Sequence, residues 1–435
     1  MSIIPNILFA ILLIVGIGYF AKNVKKLVRN IKLGQDVDVS DHTSQRWKNM
    51  AMIALGQSKM VKRPIAGFLH IVVYVGFVII NIEVLEIIID GLFGTHRIFS
   101  SIGSLYGVLI GTFEILAFLV LVSVIIFWIR RNVIKLQRFW KSEMKGWPKH
   151  DGNIILYIEM VLMVLFLVMN ATDAHFQAMN NGNVISQFIA PLFSTLSETT
   201  LHIIERSAWW LHIIGILAFL NYLYYSKHLH ILLAFPNTYY GKVRPKGQLD
   251  NLEAVTKEVM LMMDPNADPF AAPAESEAEE DISKFGASDV QDLNWVQLLN
   301  AYTCTECGRC TSECPANQTG KKLSPRKIMM DTRDRLEEVG KNIDANNGVF
   351  NDDGKQLLGD YITNEELWAC TSCNACVEAC PISIDPLSII IDMRRYLVME
   401  QSAAPVELNN MMTNIENNGA PWPYNQMDRL NWKDE

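Results

Sequence analysis

Apolar residues gather along this chain in five long runs, separated by loops of very unequal charge, and the remainder alternates short amphipathic stretches with polar ones. The runs cover roughly Ile3 to Ala21, Ile65 to Asp90, Gly103 to Ile129, Gly152 to Thr172 and Ser207 to Ile231. Each is long enough to cross about 30 Å of hydrocarbon as a helix. The first begins at Pro5 with no basic flank before it and no small-residue cleavage site after it, which predicts an anchor helix and not a cleaved signal peptide. With 435 residues, 50% of them hydrophobic, the chain is too long for one ordinary domain and too apolar to be wholly soluble.

The basic residues give these spans a direction. Ten lysines and arginines, from Lys22 to Arg63, lie between the first and second runs, and seven, from Arg130 to Lys149, between the third and fourth. The other two loops hold only Arg97 and Arg206. The positive-inside rule then predicts an N-terminus outside an inner (cytoplasmic) membrane and a cytoplasmic location for everything after the fifth span.

After that span the pattern changes to that of a soluble protein. Residues 264–281, DPNADPFAAPAESEAEED, carry three prolines and seven acids, a composition that cannot bury a core and reads as a flexible acidic linker. From about Val290 the segments look helical: Leu293 to Tyr302 comes first, Ser324 with Pro325 forms an N-cap and first helical position, and Pro386 to Met399 closes the series. The predicted fold class is therefore all-α, a five-transmembrane-helix bundle followed by a cytoplasmic helical domain. The expected divisions are 1–240 for the membrane domain, 241–289 for a connector, 290–400 for the second domain and 401–435 for a tail.

All eight cysteines fall in two copies of one arrangement, Cys304-x2-Cys307-x2-Cys310-x3-Cys314-Pro315 and Cys370-x2-Cys373-x2-Cys376-x3-Cys380-Pro381. Zinc ribbons lack the third and fourth cysteines of this run, and a secreted disulfide framework does not place every cysteine in two identical blocks. The spacing instead suits two [4Fe–4S] clusters, in which three thiolates of one block bind one cluster and the fourth reaches the other. By that crossover the first cluster takes Cys304, Cys307, Cys310 and Cys380, and the second takes Cys370, Cys373, Cys376 and Cys314. The 55 residues between Cys314 and Cys370 exceed the loop of a compact two-cluster β-ferredoxin, which favours an α-helical ferredoxin domain. Reduced thiolates also require a compartment that does not oxidise them, in agreement with the cytoplasmic side.

A histidine at membrane depth is a functional candidate because burying it without a partner is costly. His70 stands near the start of the second span and His230 near the end of the fifth, so antiparallel helices bring them to one depth, as bis-histidine ligation of a haem b requires. His212 lies 18 positions before His230, a whole number of turns and about 27 Å of rise on a continuous helix, so both are expected on one face with His228 nearly opposite. For a second haem near the outer face, His212 is one candidate ligand and His175 the best remaining partner, ahead of His96 and His202. Gly103, Gly107 and Gly111 form a small-residue stripe for close approach, with helix packing its ordinary cause. Glu83, Glu86, Glu114 and Glu159 are candidates for exchanging the protons of quinone chemistry, and equally for interfacial residues.

The stretch Ser226-Lys227-His228-Leu229-His230 followed by Ala234-Phe235-Pro236, with His212 and His70, resembles the five-helix cytochrome b (gamma) subunit of respiratory nitrate reductase. Tyr302-Thr303-Cys304-Thr305-Glu306-Cys307-Gly308-Arg309-Cys310, through Ser324-Pro325-Arg326-Lys327 to Cys380-Pro381, resembles the C subunit of heterodisulfide reductase. The fused arrangement is similar to membrane subunits that link electron-transfer flavoprotein, or a heterodisulfide-reductase-like catalytic subunit, to the quinone pool. The resemblance implies haem ligation by His70 and His230, with His212 a further candidate. It departs from the nitrate reductase pattern on the second span, where Asn81 or Ile80 stands at the level of a second ligand. It also lacks the cysteine-rich CCG modules of longer fused relatives, so a separate CCG-domain subunit or electron-transfer flavoprotein is the expected partner. No nucleophile, phosphate-binding glycine loop or dinucleotide fingerprint points to a self-contained catalytic site. The expected function is electron relay between a cytoplasmic partner and membrane quinone through two [4Fe–4S] clusters and haem b. The alternatives are a haem-free membrane-anchored ferredoxin and an iron–sulfur redox sensor.

Overall fold

The computed structural model describes residues 3–265 and 284–434, and among them it holds helices and no strand. The proposed linker lies, from residue 266 to 281, outside the described residues. Five helices are long and apolar enough to cross a membrane: α1 (Ile4–Ile31), α2 (Pro64–Phe93), α3 (Ser104–Asn132), α4 (Trp147–Thr172) and α5 (Glu198–Tyr222). Proline occupies the first turn of α1, α2 and α4, where its missing N–H costs nothing. α2 packs on α3, α3 on α4 and α4 on α5, while α1 touches both α5 and α2, so the five close into a ring. Large apolar side chains such as Ile14, Phe68, Val108 and Val161 remain exposed on its outside, as a lipid-facing surface requires.

The fifth apolar run is not one helix. α5 stops at Tyr222, Ser226 is extended, and α6 (His230–Tyr240) begins after a short 3₁₀ turn. The interruption is satisfied locally. Asp151 accepts from the Tyr222 hydroxyl at 2.7 Å and from the Lys227 amide at 3.1 Å, and Ser226 Oγ accepts from the His228 amide at 3.1 Å. Side chains thus replace the helical hydrogen bonds that these groups give up. The expectation that His212 and His230 share one helical face, with His228 opposite, fails for this reason.

The glycine stripe on α3 admits a loop, not a neighbouring helix. A Cβ at Gly107 would lie 1.6 Å from Asn181 Oδ1, and one at Gly111 would lie 3.2 Å from Val184.

The second half is built from α7 (Trp295–Thr303), α8 (Arg309–Glu313), α9 (Pro325–Ala345), α10 (Ala375–Ala379) and α11 (Pro386–Met399). Asn294 and Gln297 close a capping box at α7, Ser324 caps α9, and Asp385 caps α11 by accepting from Leu387 and Ser388 amides. Each cap satisfies amide groups that the first turn leaves free. Leu298, Ile328, Leu336, Val339, Leu367, Ile389 and Met393 are buried between these helices.

The two halves meet over a polar and apolar seam. Asn30 at the end of α1 donates to the Tyr302 hydroxyl at 2.9 Å, and Lys26 pairs with Asp344 at 2.6 Å. Gln35 and residues 293–295 exchange backbone bonds of 2.8 and 3.1 Å, and Asn237 of α6 donates to the Ile382 carbonyl at 2.8 Å.

Candidate functional site

Each cysteine block bends through the same two left-handed positions. In the first these are Glu306 (φ 53°) and Gly308 (φ 70°), and in the second Ser372 (φ 55°) and Asn374 (φ 59°). Such alternation turns successive amides inward and makes a concavity suited to anions. At Gly308 the left-handed backbone and the neighbouring guanidinium both favour glycine, since a Cβ there would lie 2.5 Å from Arg326 Nη1. The opposite position in the second block is open enough for asparagine. α8 and α10 then carry Cys310 and Cys376, and the extended Cys314 and Cys380 close each block before proline.

The eight thiols form no disulfide and gather into two groups. Cys304 has Cys307 and Cys380 as its sulfur neighbours, Cys380 has Cys307, and Cys310 has Cys307, Cys304 and Cys380, with Cys376 beyond. Cys370 has Cys314 and Cys373, and Cys376 has Cys370 and Cys314. Cys304, Cys307, Cys310, Cys376 and Cys380 line a common cavity with Arg326, Met329 and Ile382. Burial pushes the Cys304 and Cys376 thiols up to about 12 and Cys380 up to about 11. Thiols so enclosed become thiolates when a metal supplies the compensating charge. Two sets of four sulfur donors are the complement that a pair of [4Fe–4S] clusters takes.

Beside the first set lies a histidine cluster. The rings of His70 and His230 are 6.4 Å apart, centre to centre, at 43°. A metal–nitrogen bond of about 2 Å on each side, added to the ring radii, separates facing imidazoles by about 6 Å. His230 Nδ1 lies 3.1 Å from the Lys227 carbonyl, which assigns the proton to Nδ1 and leaves Nε2 as the free donor. His70 Nδ1 is buried without a partner. These two histidines therefore fit a haem iron between them. Because the chain breaks at Ser226, His228 joins the cluster: its ring is 5.3 Å from that of His230, and its Nε2 is 3.4 Å from Glu159.

Toward the other end of the ring the expected residues separate. The His212 ring packs on Phe166 at 6.1 Å, whereas His175 faces His96 at 6.1 Å. Asp173 holds His96 at 3.2 Å and Arg97 at 2.7 Å, and exposed His202 lies 3.8 Å from Glu205. Glu86 and Glu114 accept backbone amides of Phe99, Ile185 and Ser186 and so anchor loops, while Glu83 keeps a buried oxygen unpartnered.

Sequence reasoning missed the residues that join histidines to cysteines. Lys227, whose carbonyl orients His230, sends its Nζ to Glu306, which sits between Cys304 and Cys307 and also takes Arg333 at 2.8 Å. Arg309, next to Cys310, donates to the Lys59 and Met60 carbonyls at 3.4 and 3.3 Å and lies close enough to His70 to interact with it. A lysine and a glutamate separated by nearly eighty positions leave no periodic trace. The one available signal was a basic residue inside an apolar run, at Lys227.

Residues 303–384 match the family model described as a 4Fe–4S dicluster domain. The chain is 29% identical over 459 residues to the probable iron–sulfur-binding oxidoreductase FadF of Bacillus subtilis, covering 99% of this chain and 61% of that protein. It is 25% identical over 433 residues to the EtfAB:quinone oxidoreductase of Syntrophomonas wolfei, covering 92% of this chain and 55% of the relative. The C subunit of the ferredoxin/F420H2-dependent CoB–CoM heterodisulfide reductase of Methanosarcina acetivorans is 34% identical over 108 residues, covering 25% of this chain and 52% of that protein. The chain thus spans less than two thirds of the first two relatives. No solved structure matches it. Within those bounds it is a homologue of iron–sulfur oxidoreductases and carries a 4Fe–4S domain.

Proposed function

We propose that the chain is a membrane-bound electron-transfer subunit working between a soluble redox partner and membrane quinone. The observation that carries this reading is the connection of His230 through Lys227 to Glu306, which joins a histidine pair at the bundle's end to a cysteine loop. Cys304, Cys307, Cys310 and Cys380 hold one [4Fe–4S] cluster, Cys314, Cys370, Cys373 and Cys376 a second, and His70 and His230 a haem b. When bound, these groups supply one-electron carriers. The protein's own part is to hold them close together, to orient His230 through the Lys227 carbonyl, and to enclose the donor atoms against water. The basic loops at this end, through the positive-inside rule, support a cytoplasmic side for it. The partner is an electron-transfer flavoprotein or a CCG-domain subunit, consistent with the activity for which the Syntrophomonas relative is named.

The test is composition. Purified protein should contain about eight iron atoms in clusters and show a b-type pyridine haemochrome. His70→Ala and His230→Ala should each abolish the haemochrome while leaving cluster absorption in place. Haem content unchanged in both variants would remove the haem half of the reading, and a wild-type protein with clusters alone would make the bundle a mere tether.

A further inference from the structure

A second site lies at the same end of the bundle, facing outward. A cavity of about 430 Å³ opens between the first turn of α2 and the segment just past α3, lined by Lys62, Arg63, Pro64, Ile65, Ala66, Arg130, Leu136, Gln137 and Arg138. Four of these residues are cations and none is a carboxylate. Two of the cations are drawn toward the second half of the protein, Lys62 pairing with Glu378 and Arg63 with Glu313 at 2.9 Å. The other two make no ion pair with a carboxylate among the described residues, and Arg138 Nε is buried without a hydrogen-bond partner. No side chain caps the start of α2, so its first-turn amides add their own positive potential to the same wall.

The place of the cavity identifies the anion it suits. It sits where one candidate membrane span begins and the next ends, at headgroup depth. Apolar surface leads directly away from it, since Ile65, Phe68, Val133 and Ile134 are each 60% exposed or more. Ile65 lines the cavity and Phe68 lies on the same face one turn on. We propose that this cavity binds the phosphate of an anionic phospholipid, with its acyl chains along Ile65, Phe68, Val133 and Ile134. A free phosphate would use the cations but not the apolar ramp. The proposal rests on the membrane reading and is independent of the haem.

The experiment compares lipids retained by the full-length protein, after reconstitution in phosphatidylcholine nanodiscs containing a minor fraction of phosphatidylglycerol, by native mass spectrometry. The wild type should retain phosphatidylglycerol in preference to phosphatidylcholine. Arg130→Gln and Arg138→Gln should each weaken that retention about fivefold, as loss of one interfacial cation does. Lys25→Gln, a basic residue at the same end outside the cavity, should leave it unchanged. Arg130 contacts none of the cysteines, so a folding defect in Arg138→Gln, visible as lost cluster absorption, still leaves one decisive variant. Equal retention in wild type and Arg130→Gln would overturn the proposal, as would complete displacement of the lipid by millimolar inorganic phosphate. Failure of the protein to enter nanodiscs would instead overturn the membrane reading.

Discussion

The two cysteine sets are built on one loop geometry and live in opposite surroundings. Around Cys304, Cys307, Cys310 and Cys380 stand Lys59, Arg138, Arg309 and Arg326, of which the first two come from loops of the membrane half. Lys59 donates to the Val377 carbonyl at 3.1 Å, and burial lowers its ammonium to about 8, with Cys380 acting in the other direction. Beside the other set stand Arg394, next to Cys370, and the opposing Asp385, next to Cys376, and its Cys373 is exposed. Backbone bonds to sulfur do not separate the two, since Ser372 donates to Cys370 Sγ at 3.4 Å and Ile384 to Cys380 Sγ at 3.3 Å. Ligand pattern and electrostatic setting are therefore independent variables here. Identical motifs make two sets of sulfur donors alike in geometry, while loops of the first half make the surroundings of one of them the more cationic.

The largest test of this comparison exchanges single ligands across the motifs. Cys380→Ser should empty the set beside the membrane although it lies in the second block, and Cys314→Ser should empty the other, each leaving about four of eight irons by chemical analysis. Electron paramagnetic resonance distinguishes the survivors, and loss of the solvent-facing signal in Cys380→Ser would break the crossover.

Next in size is the buried pair Lys227–Glu306, which belongs to the membrane-side set alone. Lys227→Met leaves Glu306, 2% exposed at its side chain, with Arg333 as its remaining cation. Thermal or denaturant unfolding should register a loss of about 3–5 kcal/mol, the usual cost of breaking a buried pair from one side.

A smaller effect should sharpen the electrostatic contrast itself. Arg309→Gln or Lys59→Gln should lower the midpoint potential of the membrane-side set, on the order of 50 mV, because a nearby cation favours the more negative reduced state. Arg394→Gln should move the other set and not this one. Redox titration followed by resonance spectroscopy reads both, and equal shifts of the two sets by Arg309→Gln would dissolve the distinction.

The smallest effect concerns the scaffold between the motifs. Burial raises the Asp331 carboxyl from its ordinary value to about 6, against the opposing pull of Lys327 at 2.7 Å. A folded-state value above the unfolded one means that the stabilising contribution is complete below about pH 4 and is lost as pH rises through 6. Asp331→Asn should flatten the fall in melting temperature across that window, with a total effect of no more than about 3 kcal/mol.

Much of this architecture was legible because it is written in local pattern. The five apolar runs located α1 to α5, but their ends were displaced by as much as about ten residues: α1 continues past Ala21 to Ile31, and α5 starts at Glu198 and stops at Tyr222. Ser324 with Pro325 marked the start of α9, and Pro386 to Met399 matched α11. The meeting of His70 and His230 was expected from spacing and antiparallel topology, and their rings do lie 6.4 Å apart although the helix between His212 and His230 is broken. Three features escaped. The break at Ser226 hides in an unbroken apolar run, because its compensation comes from Asp151, far away in sequence. The separation of His212 from His175 depends on which turn faces Phe166 and which faces His96. The glycine stripe met a loop from the 180s, a contact that helical periodicity cannot express.

By itself the sequence determined that sulfur donors come in two fours and that five runs are long and apolar enough to cross a membrane as helices. Both are properties of spacing and hydropathy, counted over a few consecutive residues. Only the tertiary structure decided which cations crowd which sulfurs, how His228 turns toward His230 and Glu159 and Lys227 toward a cysteine loop, and where four cations line a cavity free of carboxylates. Electrostatic energy depends on distance in space and on burial, and neither quantity is a function of separation along the chain.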